Sequence, residues 1–259
     1  MNHRCKLLVI AILLFATAGC TSPGTPAATE IPLPSATPAA TPTSEPTPTF
    51  TPTPDRTATQ AAEATAAADE DIARFRSEMS EYGISTDSGH PGWVHEAPVM
   101  LVVSGYQDLE HHAVVPDLET SDFILRTDVT WESNNAIQCG IVFRAAPEFE
   151  EGERYGFWFL RQSGRKLWEI QFWDGNAYLA SASNGVRYSS DINLDNGGTN
   201  QILLVAEEYT FTVYINGVRQ GEFHDHNSLA TTGRFGFAAY HYAGDSTCTF
   251  ANTVIWVYR

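Results

Sequence analysis

The chain has 259 residues and a formal net charge of −16, so nothing in it would neutralise the phosphates of a nucleic acid. The hydrophobic fraction of 43% suits a globular protein, yet it is unevenly spread: residues 21–68 hold almost no large apolar side chain, and most aromatics lie from Trp93 onward. The length admits one or two domains.

Residues 1–19 read as a targeting segment. Arg4 and Lys6 form a positive start, and residues 7–15 an apolar core too short to span a bilayer. Thr17-Ala18-Gly19-Cys20 resembles a bacterial lipobox, with Thr17 where that motif usually has Leu. The resemblance implies lipidation of Cys20, and each buried CH₂ of the lipid would contribute about 0.8 kcal/mol to membrane attachment. The expected location is therefore the extracytoplasmic face of the cell membrane, with the lipid as the only membrane contact.

Residues 20–68 are predicted to form a disordered stalk. The central TPTSEPTPTFTPTPD repeats Thr-Pro, and proline both removes donors and fixes φ, so this stretch can neither pair into a sheet nor pack a core. From Thr59 the composition turns helical, and Ile72, Phe75, Met79 and Tyr82 recur at helical spacing before Gly83. A short amphipathic helix is predicted over 69–86, leading into a folded domain over 87–259.

The folded domain reads as short strands divided by turns. The strands are residues 99–105, 123–131, 137–145, 154–161, 166–173, 177–182, 202–206, 210–215, 218–223, 233–242 and 247–258. Turn signals include Ser163-Gly164, Asp174-Gly175, Asn184-Gly185 and Ala243-Gly244-Asp245. The strongest unit is NQILLVAEEYTFTVYINGVRQGEF. Ile202 to Ala206 is an unbroken apolar run, as in a strand covered on both faces. Phe211, Val213 and Ile215 then alternate with Thr210, Thr212 and Tyr214, which gives one buried and one wet face. Asn216-Gly217 tolerates the positive φ values of a type I′ hairpin turn. The fold class is all-β, a sandwich or jelly roll.

The segments DFILRTDVTW, CGIVFRA, YGFWFLRQSGRKLWEIQFW, FTVYINGV, GRFGFAAY and TFANTVIWV together resemble a concanavalin A-like lectin/glucanase jelly roll. Within that class they are similar to the laminin-G-like and 3-keto-disaccharide hydrolase domains of bacterial surface proteins. The resemblance implies a β-sandwich with a carbohydrate-binding face, and glycan or a cell-envelope polymer as partner. It is weak for function, because such sandwiches host lectins, adhesion modules and hydrolases alike.

Cys5 leaves with the targeting segment and Cys20 carries lipid, so Cys139 and Cys248 remain as a pair in an oxidising compartment, predicting a disulfide; the alternative is two buried thiols. Tyr155, Trp158, Trp168, Trp173, Tyr178 and Tyr188 fall in consecutive strands and turns, and most are read as core. Along residues 166–173, Trp168, Ile170 and Phe172 share one face, and Leu167, Glu169, Gln171 and Trp173 the other. The second face is the candidate wet surface, with Trp173 to stack on a sugar and Glu169, Gln171 and Arg161 to hold hydroxyls.

Catalysis is the less favoured reading. A glycosidase needs two carboxylates about 5–9 Å apart, and the Glu-x-Asp-x-x-Glu strand of laminarinase-type relatives is absent. Glu148 to Glu153 is similar only in composition and sits in a loop. Hydrolysis of 3-keto-disaccharides stays as the enzymatic alternative, and a structural or protein-docking module as the third. His224-Asp225-His226, with His111-His112, could ligate a metal, but they read better as polar loop residues. Calcium suits so acidic a sandwich, although no spacing identifies its ligands, and no cofactor motif is present.

Overall fold

The structure, a computed structural model, describes residues 56–258 apart from 96, 116, 150, 227 and 228, with backbone alone for 56–66 and 111–113. The predicted targeting segment, Cys20 and the Thr-Pro stretch lie outside the described residues.

Helix α1 spans Arg56–Glu81, and the strands follow in chain order: β1 His90–His95, β2 Val99–Tyr106, β3 Leu109–Ala113, β4 Phe123–Ser133, β5 Ile137–Ala145, β6 Glu153–Gln162, β7 Arg165–Asp174, β8 Ala177–Ser181, β9 Arg187–Tyr188, β10 Thr199–Glu207, β11 Thr210–Ile215, β12 Val218–His224, β13 Arg234–His241 and β14 Ala243–Val257. Sheet I has the order β1-β14-β4-β10-β11-β12, with β2 also on β14. Sheet II has the order β3-β13-β5-β6-β7-β8, with β9 also on β7. Among the described residues each has seven strands, and the strand pairs are antiparallel. This is the two-layer sandwich of the concanavalin A-like jelly roll that the sequence resembles.

The core between the sheets follows the alternation of the strands. Phe123, Leu125, Val129 and Trp131 of β4 meet Ile141, Phe143, Phe157, Phe159 and Trp168 of sheet II. Cys139 of β5 and Cys248 of β14 form a disulfide with Cα atoms 5.7 Å apart, tying one sheet to the other.

The helix begins at Arg56, earlier than the 69–86 reading, because alanine, glutamate and glutamine favour helix as soon as the prolines end. Gly83, at φ 71°, follows its last residues. Phe75 and Met79 pack on Ile124, Leu203, Val205 and Trp256 across the outer face of sheet I. That explains the unbroken apolar run of β10: Ile202, Leu204 and Ala206 face the main core, while Leu203 and Val205 face the helix. It also corrects the wet face of β11, where Tyr214 is buried against Tyr82 with ring centroids 5.0 Å apart.

The Asn216-Gly217 turn has φ values of 49° and 81°, as a type I′ hairpin requires. Other strands differ from the sequence reading. Ala243-Gly244-Asp245 is strand and not a turn, because it continues β14 in register with Ser104, Gly105 and Tyr106 of β2. Strands β1, β3 and β9 are additional. Among the described residues no helix is long and apolar enough to cross a membrane.

Candidate functional site

Among the described residues, sheet II, unlike sheet I, has no helix on its outer face. Gly140 of β5, Trp158 of β6 and Glu169 of β7 lie in one row across the strands, as do Val142, Gly156 and Gln171, and then Arg154, Trp173 and Tyr178. Because alternate residues share a face, Trp158 has Gly156 two residues back along its own strand and Gly140 directly opposite.

These two glycines shape the floor. A Cβ on Gly140 would lie 2.5 Å from the indole of Trp158, and one on Gly156 would lie 2.4 Å from its Nε1. The ring therefore lies down across the sheet in space that no other residue type would leave. Trp158 is 6% exposed, and its Nε1 has no hydrogen-bond partner among the described residues. A buried N–H without an acceptor is costly and rare.

Beside this floor the outer face of β7 carries a directional hydrogen-bond chain. Trp173 Nε1 donates to Gln171 Oε1 at 3.0 Å. Gln171 Nε2 donates to Glu169 Oε2 at 2.8 Å, and the Tyr178 hydroxyl donates to Glu169 Oε1 at 3.1 Å. An indole N–H can only donate, so it fixes the Gln171 amide with its oxygen towards Trp173 and its nitrogen towards Glu169. Burial, followed by the neighbouring Glu169 charge and hydrogen bond, pushes the Tyr178 hydroxyl above the usual tyrosine range. Glu169 is 4% exposed.

Together these residues line a cleft of about 460 Å³. Trp173 and Tyr178 form one wall, edge to face, with centroids 5.6 Å apart. Tyr240 and Tyr242, 5.2 Å apart, form the other. Gln138, Asn176, Leu109 and Arg154 complete the lining. The buried Arg154 gives Nη1 to the Gly152 carbonyl at 3.1 Å. Glu169 is the sole carboxylate among the described lining residues.

The structure brings Glu169, Gln171 and Trp173 into one cleft and leaves Arg161 out of it. Arg161 has the core-facing parity of Tyr155, Phe157 and Phe159, and at the strand end it donates Nη1 to the Ser133 carbonyl at 2.6 Å. There it borders a separate recess with Asn134 and Asn135. Of the other aromatics, Tyr155 and Trp168 are core, Trp158 and Tyr178 belong to the cleft, and Tyr188 is exposed on β9. Sequence reading missed Arg154, Tyr240 and Tyr242; the outward parity of Tyr240 was legible, its nearness to β7 was not.

Among the described residues no group of three His, Cys, Asp or Glu side chains is placed to hold a metal ion. The rings of His224 and His226 are 4.9 Å apart, while Asp225 between them turns inward and accepts the Tyr155 hydroxyl. The side chains of His111 and His112 lie outside the described residues. Glu148 sits in a turn between β5 and β6, away from the cleft lining.

No protein-family model matches the chain, and no curated protein matches it in sequence. Among solved structures it is similar to the carbohydrate-binding module CBM66 of Bacillus subtilis, at 16% identity over 61% of this chain and 94% of that one, with a TM-score of 0.44. It is similar also to the β-glucanase of Bacillus licheniformis, at 9% identity over 67% and 91%, TM-score 0.44. Sheep galectin-11 follows at 10% identity over 55% and 97%, TM-score 0.36. These are likenesses of the sandwich alone.

Proposed function

We propose that this protein binds carbohydrate in the cleft on the outer face of sheet II and does not turn it over. The observation that carries the reading is the chain from Trp173 through Gln171 to Glu169 and Tyr178. It holds a carboxylate and two aromatic rings in fixed orientation beside a second aromatic wall. Sugars offer apolar ring faces to stack on and hydroxyls to bond, and this lining supplies both. Hydrolysis by paired carboxylates lacks its second partner among the described lining residues. In the same reading the domain is carried outside the cell on the Thr-Pro stalk and lipidated Cys20, a placement that rests on the residue pattern of 1–68.

Affinity electrophoresis of the mature protein through gels containing soluble polysaccharides tests the proposal. Retardation by at least one polysaccharide, abolished by Trp173→Ala with an unchanged circular dichroism spectrum, is the expected outcome. A folded protein that no polysaccharide retards contradicts it. Release of sugar from a retarding polysaccharide would replace binding by hydrolysis.

A further inference from the structure

The hydrogen-bond inventory of the cleft says more about which carbohydrate it takes; this step rests on the carbohydrate reading above. We infer that the cleft selects uncharged sugars presenting a vicinal diol to Glu169 and rejects uronates.

An ionised carboxylate offers about four lone-pair positions, and it only accepts. Gln171 Nε2 and the Tyr178 hydroxyl each take one position, on different oxygens of Glu169. What remains is one accepting direction on each oxygen. Two adjacent O–H donors on one ring match that spacing. A single donor fills one of these two directions and leaves the other oxygen with only its hydrogen bond from Gln171 or Tyr178, so it serves the buried anion less fully. The fixed direction of the chain prevents rearrangement: Trp173 cannot accept, so Gln171 cannot turn its oxygen towards the ligand without abandoning two hydrogen bonds.

Charge acts in the same sense. A uronate carboxylate seated beside Glu169 would place two like charges together where water is scarce, and this disfavours both. The cation among the described lining residues, Arg154, has its backbone opposite Trp173, four residues along β7 from Glu169 or about 13 Å, and so stands apart from a charge seated beside Glu169.

The test uses the mature full-length protein in equilibrium binding to soluble 1,4-linked glucan, mannan and galactan, and to a 1,4-linked galacturonan. Each neutral polymer is also supplied after periodate oxidation and borohydride reduction, which opens vicinal diols and leaves the backbone linkages intact. At least one neutral polymer is expected to bind, the galacturonan about tenfold or more weakly, and the oxidised form of the bound polymer not measurably. Glu169→Gln is expected to weaken neutral binding about tenfold and to narrow the gap to the galacturonan; Arg154→Gln is expected to keep the preference. Equal or tighter binding of the galacturonan, or binding that survives periodate, overturns this inference and leaves carbohydrate binding standing. Failure of every polymer to bind a folded protein removes both.

Discussion

Phe75 of helix α1 stacks on Trp256 of the last strand, with ring centroids 6.0 Å apart and planes inclined by 25°. The contact anchors a second, smaller core on the back of sheet I, where Met79 is fully buried and Arg126 of β4 is 3.4 Å from Glu78 of the helix. Removing the Phe75 ring leaves a cavity over Trp256. Phe75→Ala is therefore expected to destabilise the domain by about 3–5 kcal/mol in urea unfolding. A chain starting at Asp87 would uncover Ile124, Leu203, Val205 and Trp256 together; it is expected to melt lower and bind a hydrophobic dye. Unchanged stability in both would mean that the helix does not hold its place on the sheet.

The disulfide joins strands 109 residues apart in sequence and in different sheets. In the chain-entropy model, closing such a loop constrains the unfolded chain enough to be worth about 4–5 kcal/mol. Urea denaturation with and without reductant, repeated on Cys139→Ala/Cys248→Ala, should show a loss of this order. Titration of both thiols in non-reduced mature protein would contradict the bridge.

Tyr258 gives a pH dependence of known sign. Its hydroxyl donates to the Ser85 carbonyl at 2.6 Å. Burial, and secondarily the Glu207 charge, pushes its pKa up to about 12. An unfolded tyrosine ionises near pH 10. The stabilisation is thus fully present below about pH 10 and is lost as pH rises through about 12, because the unfolded chain releases its proton first. Tyr155, raised by burial and by its bond to Asp225, acts in the same direction. Tyr258→Phe should make the alkaline decline of the melting temperature shallower than in the wild type; parallel curves would refute the assignment.

The cleft floor makes a different demand. An alanine at 156 would place its methyl 2.4 Å from Trp158 Nε1, so the indole has to leave. Gly156→Ala is expected to keep the sandwich, since its inner face is unaltered, and to lower carbohydrate affinity at least about tenfold. Intrinsic fluorescence should shift to the red as Trp158 meets water. Retained affinity would remove Trp158 from the site.

Much of this was legible in the sequence, for physical reasons that differ by element. Alternation marks β4, β7 and β11 because one face of each meets the main core between the sheets, and Asn216-Gly217 demands its own turn type. The same alternation placed Glu169, Gln171 and Trp173 together on the outer face of β7. It also held the information that Arg161 faces the other way, since Arg161 and Trp158 differ by an odd number of residues. Strands β1 and β3 carry histidine and proline or charge in place of a pattern, and only their partners β14 and β13 make them strands. Tyr240 was invisible as a site residue because its approach to β7 depends on the order β13-β5-β6-β7, which no local signal specifies. The role of Gly140 emerges only once the register sets it against Trp158, whereas Gly156 shares the face of Trp158 two residues back along the same strand.

The sequence contains six tryptophans, so the indole N–H signals in a ¹⁵N–¹H correlation spectrum give a direct view of where carbohydrate binds. Trp131 donates to the Asp195 carbonyl and Trp256 to the Ser88 carbonyl, and Trp168 lies in the core. Titration with the neutral oligosaccharide that binds should move the Trp158 and Trp173 signals and leave those of Trp131, Trp168 and Trp256 in place. Binding that leaves Trp158 and Trp173 unmoved would put the carbohydrate elsewhere and contradict the cleft as the site.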